Sequence, residues 1–237
     1  MDISSGLEAS FPGRVGKKIL STLPQLENAD IRYRIEPLTE AFFVKFLPLY
    51  AGQIQTKQNA LIHNIVDKTL HNTTSKFPYY SLTITEGDTF IGGAIFSVRK
   101  DRVSYAYRTF IKEWQRAKLR AGPALIGEYA VAEFSCARGL QYISHGMDRN
   151  PYGLNANIGL ATFKLSVGCY PSVSSVFETK TLQSSLLTED CFILAMPEVG
   201  TTIKKAYLVT LPGNEEDYLR ATKYPDQLTV EVLYRSV

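Results

Sequence analysis

Apolar and polar side chains alternate along two stretches of this chain, residues 31–36 and residues 79–110. Alternation with a period of two is typical of β-strands that are buried on one face. The longer stretch is interrupted by Glu86-Gly87-Asp88 and by Lys100-Asp101, which are rich in turn-forming residues. It therefore predicts three consecutive antiparallel strands joined by tight turns.

A helix is predicted between Gly122 and Gly139. Pro123 fits the first turn of a helix, and Gly139 can take the left-handed conformation that ends one. Apolar and small residues recur between them at helical spacing: Leu125, Tyr129, Ala132 and Cys136. This segment therefore has recognisable signals at both of its ends.

A short apolar strand at 140–146 and a second helix follow. That helix is capped by Asn157 and ends at Gly168. Upstream, an amphipathic helix is expected over residues 61–70. Another helix, which Pro48 should kink or end, carries Phe42, Phe43, Phe46 and Leu47.

The two ends of the chain differ from this central part. Residues 1–29 contain Gly and Pro without periodicity and are predicted to form an irregular arm. The last part predicts three strands and one helix, at 192–196, 204–210, 215–221 and 228–234. Strands followed by alternating helices and strands indicate an α/β (α+β) fold with a mixed, mostly antiparallel central sheet flanked by helices. We expect residues 30–180 to form the main domain and residues 181–237 a C-terminal α/β extension.

The composition is that of an ordinary globular protein, with 45% hydrophobic and 21% charged residues. The three cysteines, Cys136, Cys169 and Cys191, are widely spaced and odd in number, which favours a reducing compartment over a disulfide framework. The first residues do not have the pattern of a secretory signal, and no run of roughly 18 apolar residues indicates a membrane span. We therefore expect a cytoplasmic protein that does not enter membranes.

Positive charge is concentrated between residues 99 and 120, although the formal net charge of the chain is only +3. The segment holds eight Lys and Arg residues against Asp101 and Glu113. It could meet the phosphates of a ligand. Equally, it could be a solvated strand edge, because Lys and Arg protect sheet edges for reasons unrelated to ligands.

Motifs of several other enzyme classes are missing from the sequence. It contains no Gly-x-Ser-x-Gly elbow, no Gly-x-x-x-x-Gly-Lys-Ser/Thr loop and no His-Glu-x-x-His pair. Their absence weakens the interpretations as a hydrolase, a nucleotidase or a metalloenzyme. No cysteine spacing typical of zinc is present either, and no metal is expected.

The segment Gly159-Leu160-Ala161-Thr162-Phe163-Lys164, followed by Gly168, resembles a motif of the GNAT acyltransferase superfamily, in its Fem and cellulose-biosynthesis-type branch. The hairpin Glu86-Gly87-Asp88 followed by Ile91-Gly92 is also similar to one that is common in GNAT sheets. The resemblance covers residues 30–180. It implies transfer of an acyl group, with the aromatic helix at residues 42–47 either shaping an acceptor pocket or belonging to the core.

This resemblance implies candidate catalytic residues. Direct attack of an amine on a thioester needs a base near neutral pH, for which His145 is the first candidate and Glu128 and Asp148 are alternatives. Each could instead be a structural residue. Many GNAT enzymes use a tyrosine on the last helix as proton donor, and Lys164 takes that place here. Lys164 could donate a proton, hold a phosphate or carboxylate, or lie at the surface. Tyr105, Tyr107 and Tyr170 are other donors in principle, but tyrosines are frequent in this chain and most of them are expected to be structural.

The resemblance also implies a site for the co-substrate, acyl-CoA, and most simply acetyl-CoA. The pyrophosphate would meet the loop before the Gly122 helix, where Leu119 replaces the family's basic residue and Arg120 would compensate from the next position. The expected binding residues are Arg120, Ala121, Gly122, Ala124 and Asn157. Pro123 removes one amide that a pyrophosphate would otherwise contact.

We therefore predict an N-acyltransferase that moves an acyl group from acyl-CoA to a small-molecule or peptide amine. The alternatives are a non-catalytic binding or structural protein with the GNAT fold, Fem-like transfer from aminoacyl-tRNA, and acyl transfer from an acyl-carrier protein. The basic segment would suit an RNA backbone, but such enzymes usually contain two GNAT-like halves. A homodimer formed through the C-terminal extension is left open.

Overall fold

A computed structural model of the chain describes residues 1–55, 64–72, 75–111, 114, 119–146, 158–173, 187–195, 197, 199–222 and 228–235. The chain divides into two compact units, Asp2–His145 and Gly146–Val237. This division differs from the predicted boundary at residue 180. The reason is that the helix after residue 157 packs its Ala161 and Leu165 against Phe192 and Leu208 of the C-terminal part.

The Asp2–His145 unit contains both helices and strands. In chain order its described elements are α1 (Gly13–Thr22), a 3-10 turn (Leu23–Gln25), β1 (Ile31–Pro37), α2 (Glu40–Gln55), α3 (Ile65–Thr69), β2 (Tyr79–Glu86), β3 (Thr89–Val98), β4 (Arg102–Phe110), α4 (Pro123–Cys136) and β5 (Tyr142–Ser144).

Within the described part of this unit, five strands form one sheet in the order β1-β2-β3-β4-β5. Strands β1 to β4 pair with one another in antiparallel fashion, whereas β5 is parallel to β4. The predicted mixed and mostly antiparallel sheet is therefore confirmed, and β2, β3 and β4 are the three consecutive antiparallel strands expected from the alternation.

Helices α2 and α4 lie on opposite faces of the sheet. Neighbouring residues of a strand point to opposite faces. Accordingly, Ile95 packs with the aromatic cluster of α2, while the ring of Phe96 contacts that of Phe134 on α4. Phe42, Phe43 and Phe46 are all buried, so they belong to the core rather than to an open pocket.

Of the two outcomes predicted at Pro48, a kink or the end of the helix, the second does not occur, because α2 runs from Glu40 to Gln55 with Pro48 inside it. The buried rings of Phe46 and Tyr50 stack at a centroid distance of 5.6 Å across this position, which holds both parts of the helix together. Helix α3 covers only Ile65–Thr69 of the predicted 61–70, and residues 61–63 lie outside the described part.

The prediction of an irregular arm at residues 1–29 needs correction, since it contains α1. Val15, Ile19 and Thr22 follow one another at helical spacing and are buried. So few buried positions, separated by Gly and Lys, give only a weak periodic signal in the sequence. The segment also joins the sheet, because the Ile3 N–H donates to the Gln141 carbonyl at 2.9 Å. Thus these residues are part of the first unit.

The Gly146–Val237 unit has its own small sheet. Its described elements are α5 (Ile158–Ser166), β6 (Cys191–Leu194), β7 (Lys205–Thr210), α6 (Glu215–Thr222) and β8 (Thr229–Tyr234). Strand β7 is antiparallel to β6 and parallel to β8. The predicted C-terminal strands and helix are present. Across the described ranges of the whole chain, no helix has the length and apolar character needed to cross a membrane.

Close packing of β3 on β2 generates a stability prediction. A Cβ atom at Gly93 would overlap the backbone carbonyl oxygen of Leu82. We expect Gly93→Ala to lower the free energy of unfolding by about 1–3 kcal/mol through this overpacking, measured by urea denaturation. The control is Gly52→Ala, because a Cβ there meets nothing within 4 Å and alanine favours the helix. Equal stability of the two variants would contradict the prediction.

Candidate active site

Strands β4 and β5 are paired over only a short distance. The parallel ladder joins Arg102–Ser104 to Tyr142–Ser144, after which β5 ends and β4 continues to Phe110. His145 follows β5 directly. The carboxyl ends of parallel strands lie at the same edge of a sheet, so His145 and the second half of β4 meet there. Among the described residues, no strand pairs with this side of β4 beyond Ser104. We call this unpaired stretch of β4 beside β5 the opening, since an extended ligand could approach the strand backbone there.

A β-bulge lies in β4 just beyond the ladder. Phe96 of β3 pairs with Tyr105, whereas Ile95 pairs with Tyr107, so Ala106 is an extra residue in β4. In a regular strand, residues 105 and 108 would point to opposite faces. The extra residue resets the alternation, and the side chains of Tyr105 and Arg108 both point toward α4.

These two side chains meet Glu128, which is only 1% exposed. Arg108 Nη1 donates to Glu128 Oε1 at 2.8 Å, and the Tyr105 hydroxyl donates to Glu128 Oε2 at 3.3 Å. His145 completes the group, with its Nε2 at 3.3 Å from Glu128 Oε2 and its side chain 2% exposed. We call Tyr105, Arg108, Glu128 and His145 the Glu128 cluster.

The geometry assigns the proton of the His145 ring. Arg108 Nη1 lies 3.1 Å from His145 Nδ1. A guanidinium can only donate hydrogen bonds, so Nδ1 accepts this one and a neutral ring carries its proton on Nε2, which lies 3.3 Å from Glu128 Oε2. Both ring nitrogens are therefore close to other members of the cluster.

Burial has the largest effect on the pKa of Glu128. Burial raises the pKa of this carboxyl to about 7, although the positive charge of Arg108 and the hydrogen bond from Tyr105 act in the opposite direction. A carboxyl with this pKa exchanges its proton near neutral pH, as a general acid or base must. Perturbed carboxyl groups of this kind are frequent at functional sites.

The structure brings together two of the three predicted catalytic residues, Glu128 and His145. The third, Lys164, belongs to the Gly146–Val237 unit, where its Nζ donates to the Gly146 carbonyl at 3.0 Å. Asp148 lies outside the described residues. The sequence did not single out Arg108 and Tyr105 as partners of Glu128. The two residues are three positions apart, which on a regular strand places their side chains on opposite faces, and only the bulge brings them to the same face.

The predicted phosphate-binding loop leads into α4. Gly122 caps the helix with an extended backbone, and a Cβ there would meet nothing within 4 Å, so space around it is open. The Ala121 N–H, in contrast, donates to Thr22 Oγ1 of α1 at 3.0 Å, and Ala121 is fully buried. This amide is therefore engaged within the protein. Arg120 is exposed and Ala124 is half-buried, while Asn157 lies outside the described residues.

The basic segment is partly neutralised by the chain itself. Arg102 Nε is 2.8 Å from Asp101 Oδ1, and Arg108 is paired with Glu128. Lys112, Arg116 and Lys118 lie outside the described residues. The described part of the segment thus includes arginines that serve structural ion pairs. Among the residues the structure describes, no group of three or more His, Cys, Asp or Glu side chains is arranged to hold a metal ion.

No protein-family model and no curated protein matches this chain. Among similar solved structures, an aminoglycoside acetyltransferase from an uncultured soil metagenomic sample is 17% identical with a TM-score of 0.40, covering 67% of this chain and 99% of that chain. FemX is 12% identical with a TM-score of 0.46, covering 71% and 57%. A tandem GNAT protein from the clavulanic acid biosynthesis pathway is 16% identical with a TM-score of 0.45, covering 60% and 46%.

These likenesses are distant: all three TM-scores are below 0.5 and all three identities are below 20%. Because a shared fold does not fix an activity, the chemistry of the site is taken from the side chains of this chain.

The buried carboxyl of Glu128 generates a prediction about pH. Its pKa is about 7 in the folded chain and about 4.3 when unfolded, so the folded chain holds an extra proton between these values. Stability should therefore fall as pH rises through this range and level off above it. Relative to Glu128→Gln, we expect the wild type to lose roughly 3 kcal/mol between about pH 4.5 and about pH 8, measured by urea unfolding.

The control for this experiment is Glu133→Gln, which removes an exposed carboxylate from the same helix. Its stability should follow the wild-type profile over the whole range. A constant difference between the wild type and Glu128→Gln at every pH would show that Glu128 does not titrate there.

Proposed function

We propose that this chain is an N-acyltransferase, in which an amine acceptor attacks the thioester of acyl-CoA directly. The observation that carries the proposal is the opening between β4 and β5, with the titratable Glu128 cluster at its edge. A thioester placed along β4 beyond Ser104 would find backbone N–H groups of the strand as partners for its carbonyl oxygen. Such fixed donors stabilise the negative charge that develops during attack.

The Glu128 cluster supplies the base that the reaction needs. An amine similar to lysine, with a pKa of about 10.4, is mostly charged at neutral pH and must lose a proton before or during attack. Glu128 is suited to receive the proton that the nitrogen loses during attack, because its pKa of about 7 matches neutral conditions. His145 lies beside Glu128, with its Nε2 at 3.3 Å from Glu128 Oε2. Lys164 is buried. Its role as a proton donor and the role of Asn157 in binding CoA remain part of the proposal.

The start of α4 is the proposed site for the CoA pyrophosphate. Its N-terminus carries a partial positive charge, and the open space around Gly122 allows close approach of a phosphate. The acyl group would be acetyl in the simplest case, and the acceptor is a small-molecule or peptide amine. The start of α4 and the Glu128 cluster belong to the same compact unit.

A non-catalytic protein with this fold is the second candidate. Two observations favour it: Pro123 has no N–H, and the Ala121 N–H already donates to Thr22. Both reduce the number of amides that a pyrophosphate can contact. Binding of CoA is therefore the property that separates the two candidates.

Isothermal titration of the chain with acetyl-CoA and with free CoA tests the proposal. We expect micromolar binding of both ligands, weakened at least about tenfold in Gly122→Glu, which corresponds to about 1.4 kcal/mol. A carboxylate there is compatible with the helix N-terminus but repels a pyrophosphate.

The matched control is Gly52→Glu, which adds the same charge on α2 at a position with nothing within 4 Å of the new Cβ. It should bind CoA like the wild type. The absence of heat with both ligands in the wild type would exclude CoA as the donor, and equal weakening in the two variants would place the pyrophosphate elsewhere.

A further inference from the structure

The Glu128 cluster raises the question of how a proton from the acceptor reaches Glu128. The carboxyl is 1% exposed, so an amine in the opening does not contact it directly. His145 is poorly arranged to carry the proton, because Nδ1 accepts from Arg108 and Nε2 faces Glu128. Arg108 cannot accept a proton at all.

Tyr105 is the cluster member that lies on β4 where the opening begins. It is the first residue of β4 beyond the ladder with β5 and precedes the exposed bulge residue Ala106. The residue is partly exposed, and its hydroxyl donates to Glu128 Oε2 at 3.3 Å. A hydroxyl can accept one proton while it donates another, which is the property of a relay.

We propose that Tyr105 is a catalytic residue of this chain, whose hydroxyl passes the proton of the attacking amine to Glu128. This inference rests on the proposed acyl transfer. The ring of Tyr105 is held in place by the rings of His145 and Phe96, at centroid distances of 5.0 and 6.2 Å. A ring fixed on two sides keeps its hydroxyl directed at the carboxylate.

The protons and bonds balance in this scheme. The amine reacts in its neutral form, after its ammonium proton has gone to solvent, and Glu128 is ionised at this point. The amine nitrogen forms a bond to the thioester carbonyl carbon, and the proton that it then loses moves to the Tyr105 oxygen as the Tyr105 proton moves to Glu128. The bond between carbon and sulfur then breaks, which leaves the amide and the CoA thiolate. The thiolate, with a thiol pKa of about 8.5, takes the proton back from Glu128 through the same hydroxyl. The chain is returned to its starting state.

The bulge is what makes this relay possible. Because Ala106 is the extra residue, Tyr105 and Arg108 lie on the face of β4 that is turned to α4. Arg108 therefore holds the Glu128 carboxylate by its charge, and Tyr105 connects this carboxylate to the opening. Tyr107 lies on the other face of the same strand, where its ring packs against Tyr50 at 5.9 Å. The chain thus offers a tyrosine two residues away that cannot reach Glu128.

The test uses the full chain with acetyl-CoA and glycinamide as the amine probe, and release of CoA is measured by liquid chromatography. We expect Tyr105→Phe to lower kcat by about 100-fold and to leave the KM for acetyl-CoA unchanged, because the hydroxyl takes no part in binding the donor. Tyr107→Phe should keep the wild-type kcat. Both changes keep the ring, and melting curves verify that each variant is folded.

A double variant separates a relay from two independent effects. If the proton passes through Tyr105 to Glu128, Tyr105→Phe combined with Glu128→Gln should be no slower than the slower single variant. Multiplicative losses would overturn the relay, and so would a wild-type kcat in Tyr105→Phe, while acyl transfer itself would stand. No release of CoA by the wild-type chain would overturn the proposed function and the relay together.

Discussion

Glu128 lies on the side of α4 that faces the sheet, where an ionised carboxylate is cut off from water. Burying such a group is costly unless a charged partner and hydrogen bonds compensate it. Arg108 and Tyr105 provide this compensation from β4, and they do so only because the bulge at Ala106 turns both side chains to the same face. The conformation of β4 and the position of α4 are therefore linked through one carboxyl group.

The same constraint gives the site its chemical character. Because burial and the pairing with Arg108 oppose each other, Glu128 keeps a pKa of about 7 instead of being fixed in one protonation state. A purely structural ion pair would be served as well by a carboxylate with an ordinary pKa. The carboxyl also lies close to the end of β5, because His145, which follows β5 directly, has its Nε2 at 3.3 Å from Glu128 Oε2.

The N-terminal segment contributes to the surroundings of the site. Thr22, at the end of α1, accepts the Ala121 N–H and so fixes the residue before the start of α4. Ile3 extends the hydrogen bonding at the edge of the sheet through Gln141. These residues were expected to be irregular because their apolar positions are few, yet the buried side chains of α1 are sufficient once α4 offers them a surface.

Local patterns in the sequence determined much of the first unit. The alternation at residues 79–110 predicted β2, β3 and β4, and the signals at Gly122, Pro123 and Gly139 predicted α4 within a few residues. The sequence also singled out Glu128 and His145, as residue types suited to proton transfer. The first 29 residues were interpreted wrongly because packing completed a weak local signal there. At Pro48 the helix continues, so the local signal for its end did not prevail.

Only the tertiary structure decided which side chains act together. Arg108 seemed to belong to a basic segment and Tyr105 was one of many tyrosines, since spacing along a strand does not reveal a bulge. Helix α5 belongs to the Gly146–Val237 unit for a similar reason, because it packs against Phe192 and Leu208. The physical reason is common to all of these cases: periodicity is encoded by neighbours along the chain, whereas partnership depends on residues that are distant in sequence.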